Sequence, residues 1–197
     1  EMGPRISKRA IPRAAAPQRL CVPPGCANDR AMSRLLPATS YWIEFSRFAA
    51  GAYPSAPAEL AALIAAGIGG FVDLTPASDH GGYADAAARL AREAGREALH
   101  RRFPIRDFGL PEIATMRAIL DAIDEWIASQ RPVYVHCHAG IGRTGTVVAC
   151  WLVRHGRAPA EALDELKRLR RGTRDAAAAS PETDAQRAFV AAWREND

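Results

Sequence analysis

The 197-residue sequence lacks any apolar run able to cross a bilayer: the longest mainly apolar stretch, Leu60–Val72, has 13 residues, against the roughly 18–20 that a spanning helix needs. Its four cysteines, at positions 21, 26, 137 and 150, are too scattered for a disulfide framework in a chain of this size. A hydrophobic leader core with a small-residue cleavage site is also missing, so a reducing cytoplasm is the expected compartment. Charge of one sign is absent from most of the chain. The net charge is +4, but residues 1–40 hold seven basic and two acidic side chains, leaving 19 basic against 20 acidic over the other 157. A nucleic-acid-binding surface is therefore not expected on the main body.

What the chain does have divides near residue 40. Six of its 14 prolines and few large apolar residues lie in residues 1–40, a composition that cannot offset its own ordering entropy and reads as a flexible basic tail. Cys21 and Cys26 inside it lack two further ligands for zinc and read as free thiols. Residues 41–197 form the expected domain. Short β-type runs (Tyr41–Phe45 with a continuation near Phe48–Ala50, Gly70–Leu74, Leu99–Phe103, Val133–His136) alternate with helical ones (Pro57–Ala66, Tyr83–Ala94, Glu112–Ser129, Arg143–His155, Pro159–Arg171, Pro181–Arg194). Ile113, Met116, Leu120, Ile123 and Ile127 recur at spacings of three and four and would line one buried helix face. Ser180 and Pro181 read as the N-cap and first turn of the last helix. The pattern predicts an α/β fold with a central, mainly parallel sheet flanked by helices.

The densest signal is His136-Cys-His-Ala-Gly-Ile-Gly-Arg-Thr-Gly145, which joins a buried strand to a helix. Gly140, Gly142 and Gly145 fit a dinucleotide fingerprint, but no second strand ending in an acid follows, and the Lys-Ser/Thr pair of a nucleoside-triphosphatase loop is missing. A different chemistry uses Cys137 and Arg143 as well. Backbone N–H groups of a tight loop above a helix N-terminus form an anion-sized cradle, and the same field favours the thiolate form of a cysteine. Arg143 brings a planar fork that can hold two oxygens of a tetrahedral oxyanion. Thr144 offers a hydroxyl to the sulfur when it becomes the leaving group.

Cys137-His-Ala-Gly-Ile-Gly-Arg143-Thr144, with His136 before it, resembles the signature of the cysteine-dependent protein tyrosine phosphatase superfamily, in its compact, dual-specificity-like bacterial form. The resemblance implies Cys137 as nucleophile, and His138, Ala139, Gly140, Ile141, Gly142 and Arg143 as the phosphate-binding loop. It also implies Asp107, in a Gly- and Pro-bounded loop 30 residues upstream, as general acid, with His136 and Thr144 in support. It extends loosely over residues 41–193 through Ala50-Gly-Ala-Tyr-Pro54 and Ser180-Pro-Glu-Thr-Asp-Ala-Gln186. Gln186 then either orients the hydrolytic water or is an ordinary exposed helix residue. The implied reaction is hydrolysis of phosphotyrosine, extending to phosphoserine and phosphothreonine, in a phosphorylated protein or peptide, through a cysteinyl-phosphate intermediate and without a cofactor or metal.

Two other readings stay open: a phosphoinositide or inositol-phosphate phosphatase using the same chemistry, and an inactive phosphopeptide-binding module. The first would suit positive side chains inside the loop, where this sequence has Ala139 and Ile141. The second would lack the nucleophile or the acid. Cys150 falls in an apolar helical run and reads as core, and the arginines at 168, 170, 171 and 174 read as a solvated face.

Overall fold

The computed structural model describes residues 36–80 and 82–194. Five strands, β1 (Tyr41–Glu44), β2 (Phe48–Ala52), β3 (Gly70–Asp73), β4 (Leu99–Arg102) and β5 (Val133–Cys137), form one sheet in the order β1-β2-β5-β3-β4. Only the β1–β2 hairpin is antiparallel; β2–β5, β5–β3 and β3–β4 are parallel. Among the described residues six α-helices cover the sheet: α1 (Pro57–Ala65), α2 (Ala84–Glu93), α3 (Ile113–Ala128), α4 (Gly142–Arg154), α5 (Pro159–Leu169) and α6 (Asp184–Ala192). The expected α/β class, with its mainly parallel sheet, is what is found.

Alternation along the strands explains the layers. Phe48, Ala50, Val72, Leu74, Val133 and Val135 point into one core with α3–α6, while Ala49, Phe71 and Tyr134 point into a second core with α1 and α2. Both faces of the sheet are thus buried, and β5 lies at its centre. In parallel sheets the strands' C-terminal ends open onto a crevice that suits ligands, and β5 delivers Cys137 to that edge.

Several expectations need correction. Of the α3 stripe, Met116, Leu120, Ile123 and Ile127 are buried, but Ile113 is 47 % exposed because it sits at the helix start, beyond the sheet. The last helix starts at Asp184, not Pro181. Its N-cap is Thr183, whose hydroxyl accepts from Gln186 N (3.1 Å), whereas the Ser180 hydroxyl donates to Ile141 O (2.7 Å). Arg170 is buried rather than solvated, donating to Ala178 O and Asp175 O. Residues 36–40, assigned by composition to the tail, already hold on to the domain: Arg174 N donates to Ala38 O, and the Ser40 and Tyr134 hydroxyls bond at 3.0 Å. Residues 1–35, with Cys21 and Cys26, lie outside the described residues. Cys150 is core, and burial pushes its thiol up. Among the described residues no helix is long and apolar enough to cross a membrane.

Candidate active site

Cys137 ends β5, residues 138–141 turn, and α4 begins at Gly142. The first turn of a helix leaves N–H groups without intrahelical acceptors, so the turn brings backbone donors next to the sulfur. The turn is held from the β2 side. Tyr53 N donates to His138 O (3.0 Å), and Gly140, at φ +74°, lies so close to Gly51 that a Cβ would come within 2.3 Å of its carbonyl carbon. It is held from the other side by Ser180 on Ile141 O and by Thr146 Oγ1 on Gly142 O (2.9 Å). The Thr144 hydroxyl is buried and has no hydrogen-bond partner.

Arg143 leaves α4 with its side chain 2 % exposed. Nη1 donates to Ile105 O (3.0 Å) and Nη2 to Asp107 Oδ1 (2.8 Å). Asp107, by contrast, is mostly exposed and sits in the loop between β4 and α3, where the sequence placed the acid. Phe108 beside it is 58 % exposed. The predicted nucleophile, loop, arginine and acid therefore lie together.

Gln186 is not an exposed helix residue; it is fully buried. Its Oε1 accepts from Glu182 N (3.1 Å) and Thr183 N (3.2 Å), and its Nε2 donates to Gly109 O (3.2 Å) in the acid's loop. The same amide lies against Gly142, whose Cβ would meet it at 3.0 Å. One side chain thus braces α6, the acid loop and the start of α4.

Beneath the cysteine lies a buried polar network. His136 Nδ1 faces Cys137 O (3.3 Å), which can only accept, so the proton sits on Nδ1 and Nε2 accepts from the Tyr83 hydroxyl (2.5 Å). Burial pushes His136 down to about 4, against a smaller opposing pull from Asp73, so the ring is neutral at neutral pH. Asp73, also fully buried, accepts from Thr75 N and Oγ1, Arg102 and His100. Burial alone would raise its carboxyl, but the bonds from His100 and Thr75 and the neighbouring His136 hold it well below the usual range.

The loop between β3 and α2 adds two more groups. His80 Nε2 meets His138 Nδ1 at 3.0 Å and its ring stacks on Tyr53 with centroids 3.8 Å apart, while Asp79 Oδ2 lies 3.7 Å from Arg143 Nη1. Sequence reasoning missed Asp73, Asp79, His80 and Tyr83. A signal existed for Asp73, an acid inside an otherwise apolar buried strand, and for Asp79 and His80, which follow the C-terminal end of a parallel strand as Cys137 does.

A family model described as a polymorphic toxin system DSP-PTPase phosphatase matches residues 50–157, more than half of the chain and all of the cysteine loop. The chain belongs to this family. It is a cysteine-based phosphatase of the dual-specificity-like protein tyrosine phosphatase superfamily. The phosphatase is 29 % identical to Tk-PTP, whose crystal structure in the active form covers 77 % of this chain and 92 % of its own at a TM-score of 0.61. An uncharacterized protein of Methanocaldococcus jannaschii is 43 % identical over 53 residues, 27 % of this chain and 36 % of that one. The Arabidopsis thaliana protein named phosphatidylinositol 3,4,5-trisphosphate 3-phosphatase and protein-tyrosine-phosphatase PTEN1 is 33 % identical over 94 residues, 47 % of this chain and 22 % of that one. The phosphatase thus spans about a third or less of these curated relatives' length.

Proposed function

We propose that the phosphatase hydrolyses phosphotyrosine in proteins or peptides. One observation carries this reading: rings flank the cysteine loop, with Tyr53, whose N donates to His138 O, and His80 stacked on one another and Phe108 exposed beside Asp107, while Ala139 and Ile141 give the loop no fixed charge. Rings and a neutral loop favour an aryl monophosphate over a polyanionic headgroup. Phosphoserine and phosphothreonine, with no ring to pack against these side chains, are expected to be poorer substrates.

In this mechanism Cys137 Sγ attacks the phosphorus in line, and the bond from phosphorus to the ester oxygen breaks. Arg143 and the loop N–H groups hold the non-bridging oxygens, and Asp107 gives its proton to the leaving oxygen. A phosphate oxygen on Arg143 Nη2 takes the place of Asp107 Oδ1, so substrate binding frees the acid. Water then attacks the cysteinyl phosphate and yields its proton to the Asp107 carboxylate, returning the thiolate and inorganic phosphate. Thr144, with its unpartnered hydroxyl, stabilises the departing sulfur. Gln186 acts as a positioning residue, because three of its amide's bonding positions are already taken by backbone.

The test is a substrate panel at matched ionic strength: phosphotyrosine, phosphoserine and phosphothreonine peptides against phosphoinositides in micelles, with Cys137→Ser as control. Phosphotyrosine peptides are expected to show the highest kcat/KM. Cys137→Ser is expected to lose turnover and keep vanadate binding. Faster phosphoinositide hydrolysis would replace this reading with the inositol-phosphate one, and binding without turnover by the unaltered chain would leave a phosphopeptide-binding module.

A further inference from the structure

Asp79 has no part in the mechanism above, yet its carboxylate shares the guanidinium on which the phosphate must sit. We propose that Asp79 is a specificity-determining residue that restricts the pocket to esters with a single phosphate and disfavours a second phosphate beside the scissile one. The proposal rests on the phosphotyrosine reading and deepens it.

Three observations aim this carboxylate into the pocket. Asp79 N donates to Pro76 O (3.1 Å), closing a turn, and Ser78 Oγ donates to Asp79 Oδ1 (3.3 Å), which leaves Oδ2 directed at Arg143 Nη1, 3.7 Å away. The next residue, His80, is fixed against the phosphate loop by its bond to His138 and its stacking on Tyr53. The side chain of Asp79 is one-third exposed, so it stands at the mouth rather than beneath it.

Orienting Arg143 does not require Asp79. Nη1 already donates to Ile105 O and Nη2 to Asp107, at 3.0 and 2.8 Å, whereas 3.7 Å exceeds a hydrogen bond. What Asp79 contributes is charge. Asp107 gives its proton to the leaving oxygen in the first chemical step, whereas Asp79 takes no part in that transfer and faces Arg143 throughout. The ring pair His80–His138 is joined nitrogen to nitrogen, so those two ring atoms are turned to each other and not to the Asp79 carboxylate. A scissile phosphate held by Arg143 at hydrogen-bond distance therefore has Asp79 as a close neighbour, and any second anion on that side of the ester adds to the repulsion.

The experiment compares wild type with Asp79→Asn across a charge series: 4-nitrophenyl phosphate, a phosphotyrosine peptide with neutral flanks, the same peptide with a second phosphotyrosine adjacent, and phosphoinositides with one to three ring phosphates. The variant is expected to raise kcat/KM about tenfold on 4-nitrophenyl phosphate, the size of one charge acting at ~6 Å in a medium between water and protein surface, and a further two- to threefold, roughly, for a neighbouring phosphate about twice as far away. The gain is expected to shrink between about 0.05 and 0.5 M salt. A uniform gain or no change across the series would overturn the proposal, and a uniform loss would assign Asp79 to positioning Arg143. The two readings fail separately. The wild-type ranking of phosphotyrosine against phosphoinositide tests the function, and the variant-to-wild-type ratio along the series tests Asp79.

Discussion

Replacing Gly140 by alanine asks two things of the cysteine loop at once, and a second glycine separates them. Gly140 sits at φ +74°, and a Cβ there would lie 2.3 Å from Gly51 C, 2.5 Å from Gly51 O and 2.6 Å from Ala52 N. All three are backbone atoms of β2, fixed by pairing with β5, so no side chain can swing away. Reaching ordinary contact near 3.4 Å needs a displacement of more than 1 Å between the loop and β2. Gly156, at φ +91°, has nothing within 4 Å of its own virtual Cβ. Gly156→Ala therefore reports the left-handed backbone cost alone, roughly 1–2 kcal/mol. Gly140→Ala adds overpacking against backbone, about 1–3 kcal/mol more. Urea unfolding of both variants is expected to place Gly140→Ala below Gly156→Ala by that second amount, or by about 2–10 °C in Tm for a domain of this size. Its kcat should collapse while that of Gly156→Ala stays near wild type, because only the first displaces the donors around Cys137. Equal stability losses in the two variants would refute the tight approach to β2.

Acidification should destabilise the phosphatase before ordinary carboxylates titrate. His136 is held down to about 4 from an ordinary value of 6.5, so between those values the unfolded chain takes up a proton that the folded one refuses. Stability is then lost as pH falls from about 6.5 to 4, by about 3 kcal/mol, and the lowered carboxyl of Asp73 extends the loss further into acid. Urea midpoints of wild type and His136→Asn at pH 7 and 4.5 check this, and parallel slopes would rule out the histidine as the source. Asp107→Asn is expected to slow aryl phosphate hydrolysis about 10²–10⁴-fold, with a greater loss for alkyl phosphates, whose leaving oxygen needs the proton more; an equal small loss for both would point to another acid. Gln186→Leu fills a similar volume but frees Gly109 O, Glu182 N and Thr183 N. It should lower kcat more than it changes vanadate affinity, in a steady-state assay paired with vanadate inhibition, since the bond to Gly109 O is lost whereas a leucine of similar volume still packs against Gly142.

The cysteine loop was legible because its chemistry is local: sulfur, glycines and guanidinium occupy nine consecutive positions bounded by a strand and a helix. The α3 stripe was legible by periodicity, except at Ile113, where a helix can keep its pattern one turn beyond the core it packs on. The start of α6 was misread because two N-cap signals stood three residues apart. Thr183-Asp-Ala-Gln186 is a capping box, whereas Ser180 spends its hydroxyl on the cysteine loop. Asp79, His80 and Tyr83 carry no period and no motif. Parallel strand order alone brings them to Cys137, and that order exists only once β5 has inserted between β2 and β3.

The brace formed by Gln186 has a consequence for how the enzyme comes into being. Synthesis runs from the N-terminus, and β1–β5, together with Cys137, Arg143 and Asp107, precede α6. At about 5–20 residues per second, the 49 positions separating Cys137 from Gln186 take roughly 2–10 s to make. Through that interval Gly109 O has not yet met its donor, and the acid loop is held by Arg143 and by the bond from Ile105 N to Leu74 O but not from the α6 side. The acid loop and the start of α4 are therefore joined only by the last helix to be made, and a nascent chain stalled short of α6 would turn phosphate esters over poorly.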